Sequence, residues 1–165
     1  MAEITLAGNP VHTSGSLPEL GTIAPDFSVT GADLGEITRA DLAGQRVVLN
    51  IFPSLDTAVC ATSVRTFNEK AAGLDNTVVL NVSADLPFAH SRFCGAEGID
   101  KAKTGSTFRS DFAQQFGVEM TDGRLQGLLA RSVVVLDATG IVIHTELVPE
   151  IRQEPDYDAA LNALG

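Results

Sequence analysis

A run of apolar residues closed by a proline, Val47 Val48 Leu49 Asn50 Ile51 Phe52 and then Pro53, is the segment that most restricts how this chain can fold. It is short, β-branched and bounded by Arg46 before and Pro53 after, the pattern of a strand covered on both faces. Beyond a short loop, apolar positions fall at Cys60, Val64, Phe67, Ala71 and Leu74, three or four residues apart. That spacing predicts an amphipathic helix, with Asp56 or Thr57 as its cap. After a turn over residues 73–76, a second apolar run, TVVLNVS from Thr77 to Ser83, reads as another buried strand. Strand, helix and strand of this size imply parallel neighbours joined by a right-handed crossover.

This arrangement places Cys60 in the first turn of a helix that leaves a buried strand. The first-turn N–H groups have no intrahelical partner, and the helix dipole adds partial positive charge there, so a thiolate is favoured over a thiol. Position alone gives equal weight to a second reading, in which Cys60 is a small hydrophobe on the packed helix face.

The rest of the chain bears on what such a thiol can do. With 165 residues the sequence is expected to form one domain over 1–165, burying about 70% of the surface its unfolded form exposes. Neither a disulfide nor a metal is then needed for stability, and the two cysteines are available for chemistry. A net charge of -10 argues against nucleic acid or an anionic membrane as partner. No apolar run approaches the length of a membrane span, and MAEITLAGNPV lacks the basic and apolar regions of a signal peptide, so a soluble cytoplasmic protein is expected.

Glu3–Leu6 and Val11–Thr13 read as a hairpin around a Gly8 Asn9 Pro10 turn, followed by a Gly- and Pro-punctuated stretch from Ser14 to Pro25 that Leu17 and Leu20 can pin down. Asp26–Thr30 alternates weakly as a strand. Asp33–Gly44 reads as a connection with one helical turn at Arg39–Leu42. Residues 85–106 read as irregular, with a short helix at Phe88–Phe93 carrying Cys94 and with Gly95, Gly98 and Gly105 loosening the chain. Phe108, Phe112 and Phe116 suggest a short packed helix stopped by Gly117. Ser132–Leu136 and Ile141–Glu146 form a hairpin across residues 137–140, and Pro155 opens a last helix with Tyr157, Leu161 and Leu164 on one face.

Parallel strands first, an antiparallel hairpin later and a closing helix make an α/β fold in the order of a thioredoxin-like fold: a central mixed sheet flanked by helices, with an N-terminal β-hairpin. The usual Cys-x-x-Cys of that fold is here Thr57-Ala58-Val59-Cys60. A dithiol carrier needs both cysteines, whereas a hydroxyl at the first position can hydrogen-bond the thiolate or the oxygen it attacks.

Pro53-x-x-x-Thr57-x-x-Cys60 resembles the peroxidatic motif of the peroxiredoxins. The longer wording PSLDTAVC, with SADLPFAHSRFCGAEG around Cys94, resembles their bacterial thiol peroxidase subfamily, an atypical two-cysteine group, over essentially the whole chain. The resemblance implies Cys60 as the peroxidatic cysteine, Pro53 and Thr57 as its pocket partners, Arg131 in GLLARSVVVLD as the pocket arginine and Cys94 as the resolving cysteine. It also implies a hydroperoxide substrate, an intramolecular disulfide, thioredoxin as reductant, a homodimer, and no cofactor or metal. The physical reading of Arg131 agrees: if its strand runs antiparallel to Val47–Phe52, Arg131 faces Cys60 and its fork of donors can hold a hydroperoxide in line with sulfur. Without the motif, a solvated arginine at a strand start is the commoner case.

His12, His90 and His144 have no ligand spacing and read as surface or loop residues. A cysteine hydrolase would need one of them as a base beside Cys60. A non-catalytic thioredoxin-like binding module would have no reason to combine Pro53, Thr57, Cys60 and Arg131.

Overall fold

The computed structural model describes every residue from Met1 to Gly165. Its strands are β1 (Glu3–Leu6), β2 (Asn9–His12), β3 (Ser28–Thr30), β4 (Glu36–Thr38), β5 (Arg46–Ile51), β6 (Thr77–Ser83), β7 (Lys103–Ser106), β8 (Ser132–Leu136) and β9 (Val142–Leu147). Its helices are α1 (Ala58–Lys70), α2 (Pro87–Glu97), α3 (Phe112–Gln115) and α4 (Tyr157–Ala163), with a 3-10 turn at Ala40–Leu42. β1 and β2 form a separate hairpin, and the other strands form one mixed sheet in the order β4-β3-β7-β6-β5-β8-β9. β5, β6 and β7 are parallel neighbours, and β8 runs antiparallel to β5 with Ile51 opposite Ser132.

The two-residue period of the strands assigns each face a core of its own. Val47, Leu49, Ile51, Leu80, Val82, Val134 and Leu136 join Phe27, Phe112 and Phe116 on one side. Val48, Val79, Val133 and Val135 meet Phe67 and Ala71 of α1 and Ala160 and Leu164 of α4 on the other. Asn50 and Asn81 lie in register on this second face and are fully buried: Asn50 Nδ2 donates to Asn81 Oδ1 at 2.9 Å and to Ser63 Oγ of α1 at 3.2 Å, Asn81 Nδ2 donates to the Lys103 carbonyl at 3.2 Å, and Asn50 Oδ1 has no partner. Both faces of β5 and β6 are thus covered, which explains why these strands carry continuous apolar runs.

Several segments differ from the sequence reading. The N-terminal turn is Ala7-Gly8, both at positive φ (53° and 82°), so Pro10 belongs to β2 rather than to the turn. Leu20 and Leu74 are exposed, leaving Leu17 to pack against the core. β4 has one apolar residue among its three, too little pattern to read as a strand. In β7 (KTGS), Gly105 does not loosen the chain: a Cβ there would lie 2.3 Å from Val29 Cγ2, so the absence of a side chain lets β3 and β7 approach. α2 extends through Gly95 to Glu97, with Pro87 in its first turn and left-handed Gly98 as its stop. Of the spaced phenylalanines, Phe112 and Phe116 stack in the core while Phe108 is exposed. Gly117 does end this helix, at φ +68°, pressed so closely on the Ser16 backbone that a Cβ would sit 2.4 Å from its carbonyl oxygen.

Glu150 fastens the hairpin to the body. Its carboxylate accepts from the Thr5 hydroxyl at 2.5 Å and the Ala7 and Gly8 amides at 2.9 and 3.2 Å. The Thr5 and Ala7 bonds, in that order, hold its pKa down to about 2. A carboxyl depressed in the folded state contributes stability above its unfolded value, and that contribution fades as pH falls toward the folded one. Protection of the Ala7 and Gly8 amides against hydrogen exchange is therefore expected to weaken between about pH 4.5 and pH 2, ahead of the sheet. Glu150→Gln should remove that pH dependence; an unchanged acid profile in the variant would contradict the assignment.

Candidate functional site

β5 ends at Ile51, and the chain turns through buried Pro53 before α1 begins at Ala58. Thr57 occupies the cap position of α1, yet its side chain does not cap: its hydroxyl donates back to the Ser54 carbonyl at 3.0 Å. Asp56 does not cap either; its carboxylate pairs with Arg92 of α2 at 3.3 Å. The first-turn amides of α1 therefore have no side-chain acceptor, and Cys60 is the third helical residue, fully buried with a free thiol.

Arg131 immediately precedes β8, and the antiparallel β5–β8 register brings it beside the end of β5, as its place in the sequence suggested. It is 2% exposed. Its Nε donates to the Ile151 carbonyl at 2.8 Å, and its Nη2 points to Cys60 Sγ at 3.3 Å. Nη1 is buried with no acceptor. A guanidinium held through Nε, in contact with a sulfur through Nη2 and carrying unused N–H groups on Nη1 is a charged donor set in a site of low polarity.

In front of this pair lies a cavity of about 410 Å³. Pro53, Thr57 and Arg131 line it, along with the apolar side chains of Leu6, Leu128 and Ile151. Cys60 itself lies behind this lining. The structure thus gathers Pro53, Thr57, Cys60 and Arg131 at one place. Thr57 makes no bond to sulfur here, since its hydroxyl proton is committed to Ser54.

Cys94 lies on α2, half-buried, and packs against the apolar cluster of Phe52, Leu55, Cys60, Val64, Phe93 and Ile99. Burial pushes its thiol above the ordinary cysteine range, so it is held protonated while α2 is packed. Two exposed ion pairs, Arg65–Glu97 at 3.0 Å and Arg92–Asp56 at 3.3 Å, join α2 to α1 and its entry loop. Each is worth at most about 1 kcal/mol. α2 is therefore held mainly by the apolar cluster and by the contacts of His90.

A Redoxin family model matches residues 19–161. The chain belongs to the Redoxin family. Among its Redoxin relatives, the thiol peroxidase of Mycobacterium tuberculosis is 58% identical over 165 residues, spanning 100% of this chain and 99% of the relative. The thiol peroxidase of Corynebacterium glutamicum is 54% identical over 164 residues, 99% of each. The crystal structure of a peroxiredoxin-like protein from Aquifex aeolicus superposes with a TM-score of 0.93 at 40% identity, over 98% of this chain and 95% of that one. A thiol peroxidase from Chromobacterium violaceum, 19% identical, has the same fold with a TM-score of 0.88 over 99% and 96%. The thioredoxin-like fold is thus the one shared with these solved structures.

The sequence reading missed Asp85 and misplaced His90. Asp85 is bonded to Ser54 and Leu55 of the loop that leads into α1, and His90 is buried rather than on the surface. The SADLPFAH wording contained both residues, but their contacts lie across the fold and leave no periodic trace.

Proposed function

We propose that this chain is a thiol-dependent peroxidase for hydrogen peroxide and organic hydroperoxides, acting in antioxidant defence with Cys60 as its reacting thiolate. The observation that carries the reading is the 3.3 Å contact from Arg131 Nη2 to Cys60 Sγ at the start of α1, behind a cavity lined by Pro53 and Thr57. In the first step the sulfur attacks the terminal oxygen of the hydroperoxide, the O–O bond breaks, and the leaving oxygen takes a proton to depart as water or an alcohol. Nη1 of Arg131 offers unused donors to the two peroxide oxygens, and Pro53, with no N–H of its own, helps keep water away. Cys60 is left as a sulfenic acid.

Cys94 then attacks that sulfur, water leaves, and a disulfide forms within one chain. Both helices must give way for the two sulfurs to meet. The first turn of α1 has no capping side chain and the ion pairs that tie α2 to it are exposed and weak, so opening consists chiefly in releasing α2 from the apolar cluster and from the contacts of His90. Opening also removes the burial that keeps Cys94 protonated. No metal or organic cofactor takes part. An external dithiol, for which the resemblance suggests thioredoxin, reduces the disulfide by exchange.

The resemblance also supports a cytoplasmic homodimer, and no helix is long and apolar enough to cross a membrane. A mass of a single chain in sedimentation equilibrium at tens of micromolar would exclude the dimer. The activity is tested by following NADPH oxidation with thioredoxin and thioredoxin reductase against hydrogen peroxide and cumene hydroperoxide. Saturable turnover that needs both hydroperoxide and thioredoxin is expected. Turnover only with a monothiol would exclude the reductant, and no turnover with any thiol would exclude the activity.

A further inference from the structure

A connected set of polar groups runs from the loop before α1 to the middle of α2. Asp85 Oδ1 accepts from the Ser54 hydroxyl at 2.7 Å, and Oδ2 accepts from the Leu55 amide at 2.8 Å and the Ser83 hydroxyl at 2.6 Å. Ser83 Oγ in turn lies 2.8 Å from His90 Nε2. Ser83 has given its only proton to Asp85, so at His90 it must accept, and the proton of the neutral ring stands on Nε2. Nδ1 is then a bare acceptor, buried and without a partner. His90 is fully buried, on the helix that carries Cys94 one turn further on.

We propose that neutral His90 is a positioning residue for the resolving step: through Ser83 and Asp85 it keeps α2 packed on the Cys60 loop, and proton uptake at His90 favours the open α2 in which Cys94 can reach Cys60. This rests on the reading of Cys94 as the resolving cysteine. A second proton on the ring would stand on Nδ1, where no acceptor is present, so the packed state resists it. Burial accordingly lowers the proton affinity of His90, with the Asp85 carboxylate at 4.0 Å opposing in part. Other charges on the surrounding elements are engaged elsewhere or exposed: Arg65 of α1 pairs with Glu97, Asp56 with Arg92, and Lys103 of β7 is exposed. Cys94, the remaining titratable group beside it, is itself held protonated by burial.

The sign follows from linkage. A base whose proton affinity is lower in the packed state stabilises packing above its free value of 6.5, and that stabilisation is lost as pH falls below it. Opening of α2 should rise by up to about tenfold per pH unit in that window, the limit for one proton.

The test is hydrogen exchange of residues 87–97 in the reduced enzyme between pH 7.5 and 5, corrected for intrinsic exchange, in wild type and in His90→Gln, which can still donate to Ser83 but does not titrate there. Protection in wild type is expected to fall several-fold as pH drops below about 6.5, and to stay flat in the variant. Single-turnover resolution should follow: the ratio of wild-type to variant rate rises on acidification, while the preceding oxidation of Cys60 is the same in both. Parallel pH profiles in the two proteins would overturn the proposal. Should His90→Gln fail to fold, a flat wild-type protection profile overturns it alone. Failure of the Cys94 assignment is distinguishable, since no disulfide would form while the exchange profile still titrated.

Discussion

Cys60→Ser is expected to reduce peroxide turnover to the uncatalysed background, whereas Cys94→Ser consumes about one equivalent of hydroperoxide per chain and then stops. The difference follows from where each sulfur sits. Cys60 alone is in contact with Arg131, so only its thiolate has a charged donor set beside the peroxide oxygens. A serine hydroxyl at position 60 is too weak a nucleophile for the O–O bond, and the uncapped start of α1 does not remedy that. Cys94 is raised toward the protonated form by burial and has no cation at its sulfur, so it cannot replace Cys60 in the first step. In Cys94→Ser the sulfenic acid at Cys60 has no internal partner. It should be trapped by dimedone, and the added mass should lie on the peptide containing Cys60. If Cys94→Ser behaved like Cys60→Ser in a single turnover, the two roles would be reversed or the scheme wrong. Both serines are nearly isosteric with the cysteines they replace, so loss of fold would be a poor explanation for either result.

The central strands, the helix between them and the late hairpin were legible because burial on a fixed period leaves a mark in sequence. β6 and β8 were read with the bounds they have, Thr77–Ser83 and Ser132–Leu136, and Arg131 could be placed from the direction of β8 alone. β7 was not legible, since its KTGS is buried by the close approach of β3 at Gly105 and not by its own side chains. β4 was hidden by its shortness. At the site, the sequence indicated which residues converge but not how their protons are shared. It offered Thr57 as a helix cap or a donor to sulfur, and the fold uses its hydroxyl to close the Ser54–Thr57 turn. His90 was misread for a related reason. An isolated histidine on a short helix looks solvated until Ser83 and Asp85 come up beneath it.

Arg131→Ala is expected to lower the second-order rate constant for hydroperoxide by roughly 10² to 10³, the scale for removing one donor that acts on charge developing in the transition state. The reductant half of the cycle should change little, because disulfide exchange takes place after Arg131 has done its part. The loss should therefore appear in kcat/KM for peroxide and not in kcat/KM for thioredoxin. Arg131→Lys separates charge from geometry. An ammonium can reach either the Ile151 carbonyl or Cys60 Sγ, which Arg131 holds at 2.8 and 3.3 Å with two different nitrogens, but it cannot span both and still present free donors. Lysine should thus recover only part of the alanine loss. Because Arg131 is buried and bonded to the backbone, alanine also leaves the Ile151 carbonyl unpaired, at a cost of about 1 to 3 kcal/mol in stability. Rates must accordingly be compared well below each variant's unfolding midpoint. An Arg131→Ala enzyme within about threefold of wild type in kcat/KM for peroxide, far short of the donor-loss scale, would show that the 3.3 Å contact with sulfur is structural and that the oxygens are held by other groups.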